Sequence, residues 1–156
     1  MATCPSCSHE NPDGAKFCME CATPLTAAVP VVTQERKVVS VLFCDLVGFT
    51  AASESADPEE VQARIAPYHL RTRERIEAFG GTVEKFIGDA VMAVFGAPVS
   101  HEDDAERAVR AGLAVLEAIE ELNAADGSLA LSVRIGVNTG EAVVSLAPGR
   151  SWVRGW

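Results

Sequence analysis

Apolar residues change their period several times along the chain, and each change marks an element. Val38–Cys44 is a nearly unbroken apolar run, which suits a strand covered on both faces, read from about Lys37 to Cys44. The run ends on a carboxylate, Asp45, and turns at Gly48 into a short helix read over Leu46–Ser55. Asp57-Pro58-Glu59-Glu60 opens a second helix, with Asp57 as N-cap, Pro58 in the first turn and acids near the positive end of the dipole. Val61, Ile65, Tyr68, Ile76 and Phe79 continue as its apolar stripe to a stop at Gly80-Gly81, and Pro67 is expected to kink it. Thr82–Ile87 and Ala90–Phe95 are two strands joined at Gly88-Asp89 as a hairpin. Ser100 with Asp103 three residues on reads as a capping box. The helix after it carries a stripe of Ala105, Ala108, Val109, Gly112, Leu113, Leu116, Ile119 and Leu122. Leu129, Leu131, Val133, Ile135 and Val137 alternate as a half-buried strand. Asn138–Glu141 reads as a turn, and Ala142–Leu146 opens a further strand.

The order β-α-β-β-α-β is that of the split βαβ, or ferredoxin-like, arrangement within the α+β class. The start of another strand follows it. In that topology the first strand neighbours the hairpin, so Asp45 and Asp89 are expected at one end of the sheet.

Residues 1–25 follow a different logic. Cys4-Pro-Ser-Cys7 and Cys18-Met-Glu-Cys21 are two CxxC pairs, each placing two thiolates on one tight turn. So short a segment has almost no core of its own, and a tetrahedral Zn²⁺ would supply its folding energy. The competing reading is a disulfide pair or free thiols, which a reducing compartment disfavours or leaves without purpose. The segment resembles the short zinc ribbons at the head of many bacterial regulatory proteins. The division expected is a ribbon over 1–25, a proline-containing linker over 26–35, a catalytic domain over 36–146 and an atypical tail over 147–156.

At 156 residues and 48% hydrophobic, the chain can build one good domain beside the ribbon. A net charge of −9 argues against a nucleic-acid surface, though not against a nucleotide bridged by metal. No apolar run approaches the roughly 20 residues of a membrane span. The first residues lack the basic and apolar regions of a secretory signal, so the expected location is cytoplasmic.

The chemistry rests on two carboxylates. Paired at one sheet end, Asp45 and Asp89 suit Mg²⁺ or Mn²⁺, hard ions that take oxygen ligands and share them with phosphates. The glycine-containing turn after Asp45 puts backbone amides at a helix start, a plausible phosphate cradle. No GxxxxGK[ST] occurs, which excludes a P-loop. Lys85, four residues before Asp89, is placed to reach a base or a phosphate. Cys44 reads as a small core residue, and His69 and His101 as surface residues without a role.

Three motifs in order, FCDLVGFT, KFIGDAVMAVFG and VRIGVNTGEAVV, make the chain similar to class III adenylate/guanylate cyclase catalytic domains from Arg36 to about Ser145. The resemblance implies the ferredoxin-like core and conversion of ATP or GTP to a 3′,5′-cyclic nucleotide and pyrophosphate with two metal ions per site. It implies that Asp45, Asp89 and the Leu46 carbonyl bind metal and that the amides of Val47, Gly48, Phe49 and Thr50 hold phosphates. Lys85 matches the base-selecting position, where lysine goes with adenine. A lysine ammonium can donate to adenine N1 and finds no acceptor at guanine N1–H, which favours ATP.

The family pairs two catalytic domains, usually as a homodimer, and one of them donates an asparagine and an arginine from an NxxxR stretch. After Val144 this chain reads SLAPGRSWVRGW, with no such stretch. The expectation is a truncated domain with little activity alone, able to pair with a full-length partner. A non-catalytic nucleotide- or partner-binding regulatory module with a structural ribbon is the alternative. A phospho-acceptor domain built on Asp45 is disfavoured by the β-α-β-β-α-β order.

Overall fold

The computed structural model describes residues 1–25, 33–147 and 150–154, in two compact units, 1–33 and 34–156. Most of the expected linker, 26–32, lies outside the described residues, while Thr33 to Glu35 already belong to a strand.

In the first unit, β1 (Ala2–Thr3) pairs antiparallel with β2 (Glu10–Asn11). Each CxxC closes the same turn: Ser8 N–H donates to Cys4 O at 3.0 Å and Ala22 N–H to Cys18 O at 2.9 Å. The residue after each pair, Ser8 or Ala22, sits at positive φ, 61° and 58°. Asn11 is fully buried and ties the two turns, its Nδ2 donating to His9 O at 2.9 Å and its Oδ1 accepting from Met19 N–H at 2.9 Å.

The second unit contains β3 (Thr33–Leu46), α1 (Phe49–Ser53), α2 (Pro58–Ala78), β4 (Thr82–Ile87), β5 (Ala90–Phe95), α3 (Asp104–Ala125), β6 (Val133–Ala147) and β7 (Arg150–Arg154). The sheet order is β4-β5-β3-β6-β7, so the first strand of the unit is central and pairs antiparallel with β5. This is the ferredoxin-like arrangement expected from the element order. No described helix is long and apolar enough to cross a membrane.

Alternation along β3 sorts its side chains between two clusters. Leu42, Cys44 and Leu46 pack against α2 and α3 through Ile65, Tyr68, Ile76, Ala108, Ala111, Val115 and Ile119. Val39 and Val41 point the other way and join Met92, Val94, Ala142 and Val144.

Four sequence readings are corrected. The first helical turn after Asp45 is shorter than read, since Asp45 and Leu46 still belong to β3 and α1 starts at Phe49. Asn138–Glu141 is not a turn, because β6 runs unbroken through it. Ser100 and Asp103 form no capping box. Ser100 Oγ donates to Gly96 O at 2.9 Å, and Asp104 accepts from His101 N–H at 2.6 Å.

The stripe on α3 is also displaced in part. Ala108, Gly112, Ile119 and Leu122 pack inward as read, joined by Ala111, Val115 and Ala118, while Val109, Leu113 and Leu116 are 51%, 57% and 41% exposed. At Gly112 the helix comes close to the sheet. A Cβ on Gly112 would stand 3.3 Å from Ile135 Cγ2. The tail, for which the sequence suggested no element, carries β7, antiparallel to β6 with Val144 opposite Val153.

Candidate nucleotide and metal site

The end of β3 is the centre of the site. Cys44 pairs with Val91 and Phe43 with Met92, while Ile87 closes the β4–β5 hairpin opposite Ala90. The turn between them, with Gly88 at φ 60°, carries Asp89 back to β3. There Asp89 Oδ2 accepts the Leu46 amide proton at 2.9 Å. The two sequence-predicted aspartates thus share one sheet end, and the residue after Asp45 fastens Asp89.

Three contacts fix how β6 lies along β3. Ser40 Oγ meets Thr139 Oγ1 at 2.7 Å, Asp45 meets Arg134, and Val47 N–H donates to Ser132 O at 2.8 Å. Each step forward on β3 matches an equal step back on β6, as in an antiparallel ladder. Arg134 is therefore directly opposite Asp45, and it grips both carboxylate oxygens, Nε at 3.0 Å and Nη2 at 3.1 Å. Gly136 falls opposite Phe43. With no side chain there, a groove of about 340 Å³ opens between Val41, Phe43, Gly136, Val137 and Asn138, and Phe43 is half exposed.

Lys85 joins this face through an irregularity. Val83 pairs with Ala93 and faces the helices; plain alternation would send Lys85 the same way. A register shift between Val83 and Lys85 pairs Lys85 with Met92 instead. A one-residue slip exchanges faces, so Lys85 lies on the side of Phe43 and Asp45.

Behind the aspartates, α2 supplies support that the sequence reading missed. Tyr68 is fully buried and donates to Cys44 O at 3.3 Å, one residue before Asp45. His69, read as a surface residue, is half-buried against Phe86, ring centroids 4.5 Å apart, and its Nε2 has no hydrogen-bond partner among the described residues. Burial pulls its pKa below the usual value, against the opposing pull of the Gly88 backbone and the Asp89 carboxylate. Burial likewise pushes the Cys44 thiol up to about 11, as befits a core cysteine.

The cradle narrows on inspection. Gly48 caps α1 at φ 74°, a conformation that suits glycine, and nothing lies near a would-be Cβ. The Val47 amide, one of the four expected phosphate donors, is committed to Ser132, which leaves those of Gly48, Phe49 and Thr50.

The donor sets fit the ions that the sequence suggested. Asp45, Asp89 and the Leu46 carbonyl are hard oxygen donors brought to one edge. In the first unit, the Sγ atoms of Cys4, Cys7, Cys18 and Cys21 lie within 4.8 Å of one another, with Cys4–Cys21 at 3.5 Å and Cys7–Cys18 at 3.6 Å. Tetrahedral Zn–S bonds of about 2.3 Å put sulfurs about 3.8 Å apart. The Thr23 hydroxyl, 3.1 Å from Cys21 Sγ, and the Thr23 amide hold that thiol down to about 6, favouring the thiolate. None of the five cysteines forms a disulfide.

Residues 31–152 match the family described as the adenylate and guanylate cyclase catalytic domain, and residues 3–25 match a zinc-ribbon domain. Adenylate cyclase 1 of Rhizobium meliloti is 40% identical over 112 residues, 70% of this chain and 17% of the relative. The adenylate cyclase of Anabaena cylindrica is 29% identical over 113 residues, 68% of this chain and 22% of the relative. Among solved structures, the guanylyl cyclase Cya2 superposes with a TM-score of 0.70 at 38% identity, covering 78% of this chain and 65% of that one. The adenylyl cyclase CyaB from P. aeruginosa gives 0.69 at 31%, covering 78% and 66%. The chain therefore spans about a fifth of the length of these two curated relatives.

Proposed function

The chain belongs to the adenylate and guanylate cyclase catalytic domain family, and from that premise we propose that it is an ATP-directed cyclase domain of cyclic-nucleotide signalling in the cytoplasm. The observation that carries this reading is the meeting of Asp45 and Asp89 at one sheet end, held by the Leu46 amide.

In this reading Asp45, Asp89 and the Leu46 carbonyl hold two Mg²⁺ or Mn²⁺ ions. Those ions, when bound, supply activation of the ribose 3′-hydroxyl and charge neutralisation on the leaving pyrophosphate. The 3′-oxygen forms a bond to the α-phosphorus, the bond to pyrophosphate breaks, and the hydroxyl proton is released. The amides of Gly48, Phe49 and Thr50 orient the phosphates. Lys85, on the same face, donates to adenine N1 and selects ATP over GTP. The four ribbon cysteines hold a structural Zn²⁺.

No NxxxR follows Val144 in these residues, so the proposed active assembly takes its asparagine and arginine from the catalytic domain of a full-length partner. Losing one preorganised donor to a developing oxyanion commonly costs roughly 10²–10³-fold in rate, so the chain alone should turn over slowly. Cyclic AMP formation from Mn²⁺-ATP tests this, with the chain alone and mixed with a full-length relative carrying the equivalent of Asp45→Ala. Product only in the mixture supports the reading. No product in either favours the alternative, a non-catalytic nucleotide- or partner-binding regulatory module.

A further inference from the structure

Arg134 takes up the whole coordinating edge of Asp45. Its guanidinium meets Oδ1 through Nε at 3.0 Å and Oδ2 through Nη2 at 3.1 Å. This fork geometry matches a carboxylate bidentately. An arginine keeps its charge in proteins, so the side chain cannot escape by losing a proton. Asp89 is held differently. Its Oδ2 takes a backbone proton from Leu46, a contact that itself adds no positive charge. The two carboxylates are therefore unequal: at Asp45 a cation meets a guanidinium on both oxygens, at Asp89 a backbone amide on one.

We propose that Arg134 is a positioning residue that latches Asp45 and competes with the divalent cation for it, so that metal binding requires the fork to open. The inference rests on the metal assignment of Asp45 made above. It adds that the cross-strand register of β3 and β6 sets the metal affinity. The latch is a weak one. Side-chain exposure is 71% for Arg134 and 39% for Asp45, so water screens the pair and competes for it. An exposed pair of this kind is a device that a divalent ion can displace, while still keeping Asp45 in its rotamer beforehand.

The test uses the whole chain and Mn²⁺ or Mg²⁺ alone, without nucleotide. Calorimetric Mn²⁺ titration would compare wild type with Arg134→Gln, Arg134→Lys and Asp45→Asn. Arg134→Gln is expected to bind about two- to fivefold more tightly, the size of an exposed ion pair. Arg134→Lys keeps the charge but loses the fork, and is expected to gain part of that increase. A substitution that merely damaged the fold would weaken binding, so a gain separates the two effects. In parallel, the Arg134 Nε–H resonance, assigned by its disappearance in Arg134→Lys, is expected to shift as diamagnetic Mg²⁺ is added. Unchanged or weaker affinity in Arg134→Gln, with wild-type binding abolished by Asp45→Asn, overturns the latch and leaves the metal site standing. Binding that survives Asp45→Asn, or that is missing from wild type and Arg134→Gln alike, overturns the metal assignment and the latch with it.

Discussion

The Leu46 amide nitrogen lies 2.9 Å from Oδ2 of Asp89, so the residue next to one aspartate anchors the other. This bond makes Asp89 structural as well as charged, and the two roles separate by substitution. Asp89→Asn keeps an acceptor oxygen, and its unfolding free energy is expected within about 0.5 kcal/mol of wild type. Asp89→Ala leaves the Leu46 amide unpaired and is expected to cost about 1–3 kcal/mol. Both should lose Mn²⁺ binding. Urea denaturation and calorimetry on the same samples check the pair; a destabilised Asp89→Asn would show that the carboxylate charge itself holds the turn.

The large apolar residues of α3 divide between core and surface. Ile119→Ala removes a side chain only 4% exposed and is expected to cost about 2–5 kcal/mol. Leu113→Ala, at 57% exposure, is expected to change stability by less than about 0.5 kcal/mol. Equal losses in urea midpoint would contradict the observed orientation of the helix.

Gly81 sits where a Cβ would be 2.5 Å from Phe95 Cζ and 2.7 Å from Ile76 Cγ2. Both neighbours are fully buried and cannot retreat without moving the core. Gly81→Ala is expected to destabilise by about 1–3 kcal/mol, the cost of overpacking, measured as a lowered thermal midpoint. Gly48→Ala meets no neighbour, so its expected cost of about 1–2 kcal/mol is the left-handed backbone alone.

His69 should make stability depend on pH. Its folded pKa is lowered by burial from 6.5, so the unfolded chain binds the proton more readily. Stability contributed by the neutral ring is present above that value and is lost as pH falls below it. The urea midpoint is expected to drop between pH 7.5 and 5.5 in wild type, and less in His69→Gln. An identical drop in both would assign the acid sensitivity elsewhere.

Cysteine reactivity should divide by unit. Cys44 is 1% exposed with its thiol raised to about 11, so a thiol reagent at pH 7.5 should leave it unmodified in the native chain. After zinc chelation, mass spectrometry is expected to find only Cys4, Cys7, Cys18 and Cys21 labelled, and Cys44 as well in urea. Labelling of Cys44 without denaturant would mean that the end of β3 opens readily.

Local chemistry made much of this protein legible in its sequence. Two CxxC pairs can close only as two thiolate turns. The apolar run into Asp45 marks a central strand, and the glycines at 48 and 88 sit where the backbone turns at positive φ. Asp57 and Pro58 mark a helix start, because capping acts between residues two or three apart. What stayed hidden depended on pairs distant in sequence. That Arg134 faces Asp45 follows from the β3–β6 register, which no local pattern encodes. That Lys85 shares their face follows from one bulge, and a single-residue slip reverses every side chain beyond it. That α3 must carry a glycine at 112 follows from its close approach to Ile135, a distance set by the packed sheet.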